Sequence, residues 1–165
     1  MRVVVADTGP LNYLVLIGEI EILPVLFEKV FVPQAVRAEL RHRVSPGGTG
    51  MAARPPKWLE VRPVRSVANQ DPALRALDTG ERAALTLAHA LGADLLLMDD
   101  RAGVAVARRQ GFAVTGTLGV LDLAARRGLI ELSAAIERLK ATNFRYRPEI
   151  LDALLAQHAK RGERQ

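Results

Sequence analysis

The chain contains no cysteine. Disulfide frameworks, thiolate nucleophiles and cysteine-bound zinc are therefore excluded. Histidine is scarce: His42, His89 and His158 have no ligand-like spacing, and each reads as a surface or packing residue. Long apolar runs are missing as well. The longest apolar segment, residues 11–22, is interrupted by Gly18, Glu19 and Glu21 and is too short to span a bilayer. Met1 to Asp7 holds neither an apolar h-region nor a cleavage site, so no secretory signal is expected. The expectation is a soluble, cytoplasmic protein without membrane association. Phosphate-binding signatures are lacking too. The glycines at 47, 48 and 50 are not followed by Lys-Ser/Thr, and no G-x-G-x-x-G follows the first apolar segment. Both facts argue against a P-loop or a dinucleotide-binding Rossmann domain.

What is present fits one domain spanning residues 1–165, long enough to bury a core and short for two. Hydrophobic residues make up 49% and charged residues 25%, an ordinary globular composition. Lys and Arg total 23 against 18 Asp and Glu, a net charge of +5. An excess of that sign favours an anionic partner such as nucleic acid, although a solvated basic surface reads the same way from charge alone. The distribution of acids tips the balance.

Those acids stand at the ends of buried strands. Leu95-Leu96-Leu97-Met98 is a continuous apolar run that meets Asp99 and Asp100, as in the middle of a parallel sheet. Val3-Val4-Val5-Ala6 runs likewise into Asp7, after which Thr8-Gly9-Pro10 turns the chain away. Ligands of open α/β sheets bind at the carboxyl ends of such strands. Helical spacing follows over residues 11–16 and 20–27, with Pro24 in a first turn. A short strand at 29–32 and a helix at 34–41 come next, with Val36 and Leu40 facing inward and Glu39 beside them. Residues 45–50 read as a loop, and 58–61 as an edge strand ended by Pro63. Asp78 or Thr79 caps an Ala/Leu-rich helix that carries Glu81 in its first turn and stops at Gly92. Beyond the 95–98 strand come a helix at 102–110, a strand at 113–114 and a helix at 118–126. Helices at 132–140 and 148–160 close the chain, the last with Ile150, Leu151, Leu154 and Leu155 inward. Alternating strands and helices imply a three-layer α/β fold with a mainly parallel sheet, the C-terminal helices from about residue 131 packed upon it.

Carboxylates brought together repel, and without a counter-charge some would have to be protonated. A divalent cation resolves the conflict. Oxygen donors without cysteine or paired histidines suit Mg²⁺ or Mn²⁺ rather than zinc. Each acid also has a bland reading: Glu81 as a helix-dipole carboxylate, Glu39 as a solvated helix residue, Asp7 as part of an Asx-type turn. Asp99-Asp100 is the least ordinary, since adjacent like charges behind a buried strand cost stability unless compensated. Thr8, Thr115 and Thr117 are caps or turn formers whose hydroxyls could also hold water or phosphate at the same edge.

Five blocks together resemble PIN-domain proteins, with the closest look to the small prokaryotic branch that includes VapC-like toxins. They are Val-Val-Val-Ala-Asp7-Thr-Gly-Pro-Leu, Val-Pro-Gln-Ala-Val-Arg-Ala-Glu39-Leu, Asp-Thr-Gly-Glu81-Arg-Ala-Ala-Leu, Leu-Leu-Leu-Met-Asp99-Asp100 and Val-Thr115-Gly-Thr117-Leu-Gly-Val-Leu. The resemblance covers about residues 3–130. It implies a five-strand sheet ordered 3-2-1-4-5 and a Mg²⁺- or Mn²⁺-dependent ribonuclease site. The family's four acids fall on Asp7, Glu39, Glu81 and Asp100, with Asp99 a further metal candidate. Two departures stand out. Many relatives carry Asp-x-Ser where this chain has Asp7-Thr8-Gly9, so the hydroxyl would come from Thr8 or Thr115. The family's Thr-x-Asp is here Met98-Asp99-Asp100, which leaves two aspartates for one role.

On this reading Asp7, Glu81 and Asp100 hold the metal, and Glu39 orients water or a second ion. Arg41, Arg43, Arg101, Arg108 and Arg109 are candidates for holding the RNA backbone. The resemblance also implies a cognate antitoxin and a homodimer, for which residues 11–22 offer an apolar surface. Two rivals remain. One is a PIN-like domain that binds RNA or protein without turnover. The other is a phospho-receiver-like switch, which needs a lysine after the last strand, where this chain has Val114-Thr115-Gly116-Thr117.

Overall fold

The central strand, β1 (Val4–Ala6), is flanked on both sides by parallel partners in a computed structural model that describes residues 2–43, 51, 54–65 and 72–164. On one side lies β2 (Val30–Pro33), with Val5 opposite Phe31. On the other lies β4 (Leu95–Leu97), with Val5 opposite Leu96. The outer strands are β3 (Leu59–Arg62), paired with β2, and β5 (Val114–Thr115), paired with β4. All pairings are parallel and the order is β3-β2-β1-β4-β5, the order that the family resemblance implies. The chain winds outward from β1 to β3, then returns to wind the other way through β4 and β5. The reversal lies between β1 and β4. A topological switch point opens a crevice at the carboxyl ends of those two strands.

Helices cover both faces, which explains why the strands read as unbroken apolar runs. Val4, Ala6, Leu95 and Leu97 face one core layer, shared with α1 (Thr8–Leu16), α2 (Ile22–Phe27), α3 (Gln34–Arg43), α6 (Thr117–Arg126) and α7 (Leu132–Lys140). Val5, Leu96 and Met98 face the other, with α4 (Thr79–Leu91) and α5 (Arg101–Arg109). The period-two alternation of strand side chains thus supplies both layers from single short strands. A 3₁₀ turn at Pro72–Ala76 precedes α4, and α8 (Pro148–Glu163) packs on α6 and α7.

Two local expectations need correction. Thr8-Gly9-Pro10 is not a turn: α1 begins at Thr8, directly behind Asp7 as its N-cap residue. Pro10 stands in the first turn, where the missing N–H has no helical partner to lose. Ile150 is 52% exposed rather than inward, while Leu151 is buried and Leu154 and Leu155 are half-buried. Helix α8 lies at the margin of the fold, so only a narrow stripe of it meets the core. The loop expected at 45–50 lies outside the described residues. Among the described residues, no helix is long and apolar enough to cross a membrane.

Candidate active site: an acidic cleft at the strand ends

In a parallel sheet each strand hands the chain to its next helix at the same edge, so helix N-termini gather there. Here the N-cap residues of α1, α4, α5 and α6 are Asp7, Asp78, Asp100 and Gly116. The ladder carries Asp7 in at that edge, its N–H donating to the Leu97 carbonyl at 2.9 Å, and Met98 N–H donates to the Thr115 carbonyl at 3.0 Å. Asp99 and Asp100 follow at the switch point. A cleft of about 450 Å³ opens between these elements. Asp7, Glu39, Glu81, Asp99 and Asp100 all line it, joined by Thr8, Asp78 and Arg101. The five acids named from the sequence come together.

Their surroundings differ. Asp7 is 7% exposed and its side chain does not cap α1. Burial pushes its carboxyl up to about 7; the charges of Asp78, Glu39 and Asp99 add to the effect, and the Thr8 N–H offsets part of it. Glu81 forms a capping box with Asp78: the Glu81 N–H donates to Asp78 Oδ1 at 2.8 Å, and the Asp78 N–H donates to Glu81 Oε2 at 3.2 Å. Desolvation and then the charges of Asp78 and Asp100 push Glu81 up to about 7. Asp99 accepts from the Thr117 N–H at 2.7 Å and from its hydroxyl at 2.6 Å. Burial still raises its pKa, and these two bonds work against the rise. Asp100 caps α5, accepting from the N–H groups of Ala102 at 3.1 Å and Gly103 at 3.3 Å. Glu39 accepts the Thr8 hydroxyl at 2.7 Å.

The two aspartates therefore do different jobs locally. Asp99 is tied to α6, and Asp100 to the start of α5. Ion pairs between described residues lie elsewhere, on Glu19, Glu60, Asp122 and Glu137. Among the described residues, the hydrogen bonds to the cleft acids come from helix N-termini and hydroxyls, which offset the negative charge in part, with Arg101 at the rim. Among the described residues, no three carboxylates converge closely enough to enclose a metal ion by themselves. The donors are all hard oxygens, and Mg²⁺ characteristically keeps several waters while taking one or two carboxylates. The donor set fits a hydrated divalent cation. It does not form a ready-made protein cage.

Three glycines let the carboxylates approach. A Cβ on Gly80 would run into the Glu39 carboxylate, and one on Gly116 into Asp99 Oδ1; one on Gly9 would stand 3.3 Å from Asp99 Oδ2. Each glycine is the only residue type that leaves its neighbouring acid undisturbed.

The remaining predicted residues divide. Thr8 lines the cleft and Thr117 supports it from behind; the Thr115 hydroxyl instead lies against Gly119, outside the lining. Arg101 stands at the rim and Arg108 in the neighbouring groove. Arg41 and Arg109 line neither, and the Arg43 side chain lies outside the described residues. Several lining residues were not among the sequence candidates: Asp78, Tyr13, Asn143, Phe144 and Arg145. Asp78 had a visible signal as a helix cap beside Glu81. The others had none, because Tyr13 meets Asn143 (hydroxyl to Oδ1, 3.1 Å) and Phe144 only through the tertiary fold.

A family model described as DUF3368, PIN domain, matches residues 3–160 of the chain. No curated protein sequence matches it.

Proposed function

Because this chain belongs to the DUF3368 family of PIN domains, we propose that the acidic cleft is the active site of a Mg²⁺- or Mn²⁺-dependent endoribonuclease. The observation that carries this reading is the gathering of five carboxylates at the β1/β4 switch point, while the ion pairs between described residues lie elsewhere. Burial and neighbouring carboxylates raise Asp7 and Glu81 to about 7 despite a backbone hydrogen bond to each, a cost that structure alone gives no reason to bear.

Asp7, Glu81 and Asp100 would hold the cation, directly or through water, with Asp99 beside them. When bound, such an ion activates water and neutralises charge developing on a phosphodiester. The side chains of this chain do the positioning. Thr117 fixes the Asp99 carboxylate through two hydrogen bonds. Thr8 fixes Glu39, which would orient the attacking water or a second ion. Arg101, at the rim, holds the RNA backbone. We further propose that the protein is the toxin of a toxin–antitoxin pair, neutralised by a cognate antitoxin, and that it acts as a homodimer in the cytoplasm.

One observation favours a second reading. No three described carboxylates close on a single ion, as a PIN-like domain that binds RNA or protein without turnover would allow. An RNA-cleavage assay over a Mn²⁺ titration separates the two, run with Asp7→Asn and Asp100→Asn. The nuclease reading expects cleavage that depends on Mn²⁺ and falls in both variants by on the order of a hundredfold or more. Cleavage that survives both variants and a chelator would overturn it.

A further inference from the structure

We propose that Tyr13 is a positioning residue of the cleft: it fastens the segment between α7 and α8, and so holds Arg145 to meet a phosphate oxygen of the substrate. This deepens the nuclease reading and rests on it for the identity of that substrate. Among the described residues, two arginines line the cleft, Arg101 and Arg145. Helix α5 fixes the backbone of Arg101, which is its first residue. Arg145 has no such support, because it lies between the end of α7 at Lys140 and the start of α8 at Pro148. Its guanidinium forms no ion pair among the described residues. The charge is therefore open to an incoming anion, for which guanidinium has matching geometry.

The segment is tied down from two helices. At the end of α7 the Thr142 hydroxyl donates to the Leu139 carbonyl at 2.6 Å and accepts from the Phe144 N–H at 3.1 Å. From α1, Tyr13 donates its hydroxyl to Asn143 Oδ1 at 3.1 Å and meets the Phe144 ring edge-on, 5.0 Å between centroids. Asn143 and Phe144 stand directly before Arg145. Tyr13, Asn143 and Phe144 line the cleft themselves, so the tie belongs to its wall. The helix that makes the tie also begins the site. Asp7 is the N-cap residue of α1, and Gly9, close to Asp99, stands four residues before Tyr13 on the same helix face. One short helix thus sets Arg145 relative to Asp7. Backbone freedom around Arg145 is lost at folding rather than when substrate binds, which is the advantage of a group positioned in advance.

The test is a double-mutant cycle between Tyr13→Phe and Arg145→Ala in the full chain. It is read twice, in Mn²⁺-dependent RNA cleavage and in the binding of a short RNA in EDTA. Tyr13→Phe keeps the ring contact and removes only the hydroxyl, so folding is preserved. It should lower kcat/KM and RNA affinity about three- to tenfold, the worth of one hydrogen bond. Asn143→Ala, which removes the acceptor, should do the same. Arg145→Ala should lower both by roughly ten- to a hundredfold. In the Arg145→Ala background, Tyr13→Phe should change nothing further, because a residue that acts through another has no effect once that other is gone. Free guanidinium ion should restore part of the activity of Arg145→Ala, which a merely structural defect would not allow. Losses that add in the double variant, no rescue by guanidinium, a Tyr13→Phe or Asn143→Ala that behaves like the parent, or no RNA binding and no cleavage would overturn the proposal. Coupled losses in binding without any Mn²⁺-dependent cleavage would remove the nuclease reading alone.

Discussion

Thr117 donates twice to Asp99, through its backbone N–H at 2.7 Å and its hydroxyl at 2.6 Å. Thr117 is fully buried, and both donors come from the first residue of α6. The pair locks the carboxylate that ends β4 to the helix that follows β5. It also opposes the desolvation that pushes Asp99 toward its neutral form.

Thr117→Val keeps the shape and the backbone donor while removing the hydroxyl. The Asp99 pKa should rise further, and stability at neutral pH should fall by about 1–2 kcal/mol, the cost of leaving a buried acceptor short of a partner. A carboxyl NMR titration reads the first effect and urea unfolding the second. An unchanged Asp99 titration would show that the backbone bond alone sets it.

Stability without metal should decline as pH rises. Asp7 and Glu81 titrate near 7 in the folded protein against 3.8 and 4.5 as free side chains. Between about pH 4 and 7 the native state holds protons that the unfolded chain has lost, so stability decreases across that window and levels off above it. Asp7→Asn should therefore unfold later than the unsubstituted protein at pH 8 in EDTA, by on the order of 1–3 kcal/mol, and lose that advantage at pH 5. Thermal melts at the two pH values check both parts.

Mg²⁺ or Mn²⁺ should act in the opposite sense. Binding requires the cleft acids to be deprotonated, so the thermal shift produced by either ion should be large at pH 8 and small at pH 5.5. The shift should shrink in Glu81→Gln. Melting curves with and without EDTA measure it, and a pH-independent shift would place the ion elsewhere.

Gly80→Ala separates function from stability. Alanine in the first turn of α4 favours the helix by up to about 1 kcal/mol. Its Cβ, however, runs into the carboxylate of Glu39 at Oε1, a flexible group whose other oxygen accepts the Thr8 hydroxyl, so that swinging away disturbs that bond. The expected variant folds as well as the parent and cleaves RNA ten- to a hundredfold more slowly. Paired unfolding and cleavage measurements decide it. A parallel loss in both would mean that the backbone, and not Glu39, had moved.

Asp78→Ala removes one half of the capping box. It should cost about 1 kcal/mol of stability and free the Glu81 side chain from its tie to the Asp78 N–H. The loss of a neighbouring charge should lower the Glu81 pKa, since Asp78 is the leading charge that raises it. The midpoint of the Mg²⁺-dependent stabilisation should then move to lower pH.

Hydrophobic patterning and capping are local properties, and they were legible as such. The apolar runs at 3–6 and 95–98 named the two central strands and the acids that end them, because a strand buried on both faces has no room for polar alternation. Asp78-Thr79-Gly80-Glu81 announced the start of α4. The stripe Val36–Leu40 likewise brought Glu39 toward the sheet edge. Local rules misjudged Thr8-Gly9-Pro10, where Asp7 starts a helix at once. They also misjudged Ile150, whose helix meets the core along too narrow a stripe to bury it.

Sequence by itself determined which residues could be strands, which acids ended them and that no soft metal ligand was on offer, since each of these depends only on neighbours along the chain. Tertiary structure alone decided that Asp99 would be held by Thr117 while Asp100 capped α5, that Gly80 and Gly116 would stand against carboxylates, and that Tyr13 would fasten the segment bearing Arg145 beside the cleft. Those pairings join residues far apart in the chain, and no local preference encodes which distant partner a side chain meets until the parallel sheet has fixed the order of its strands.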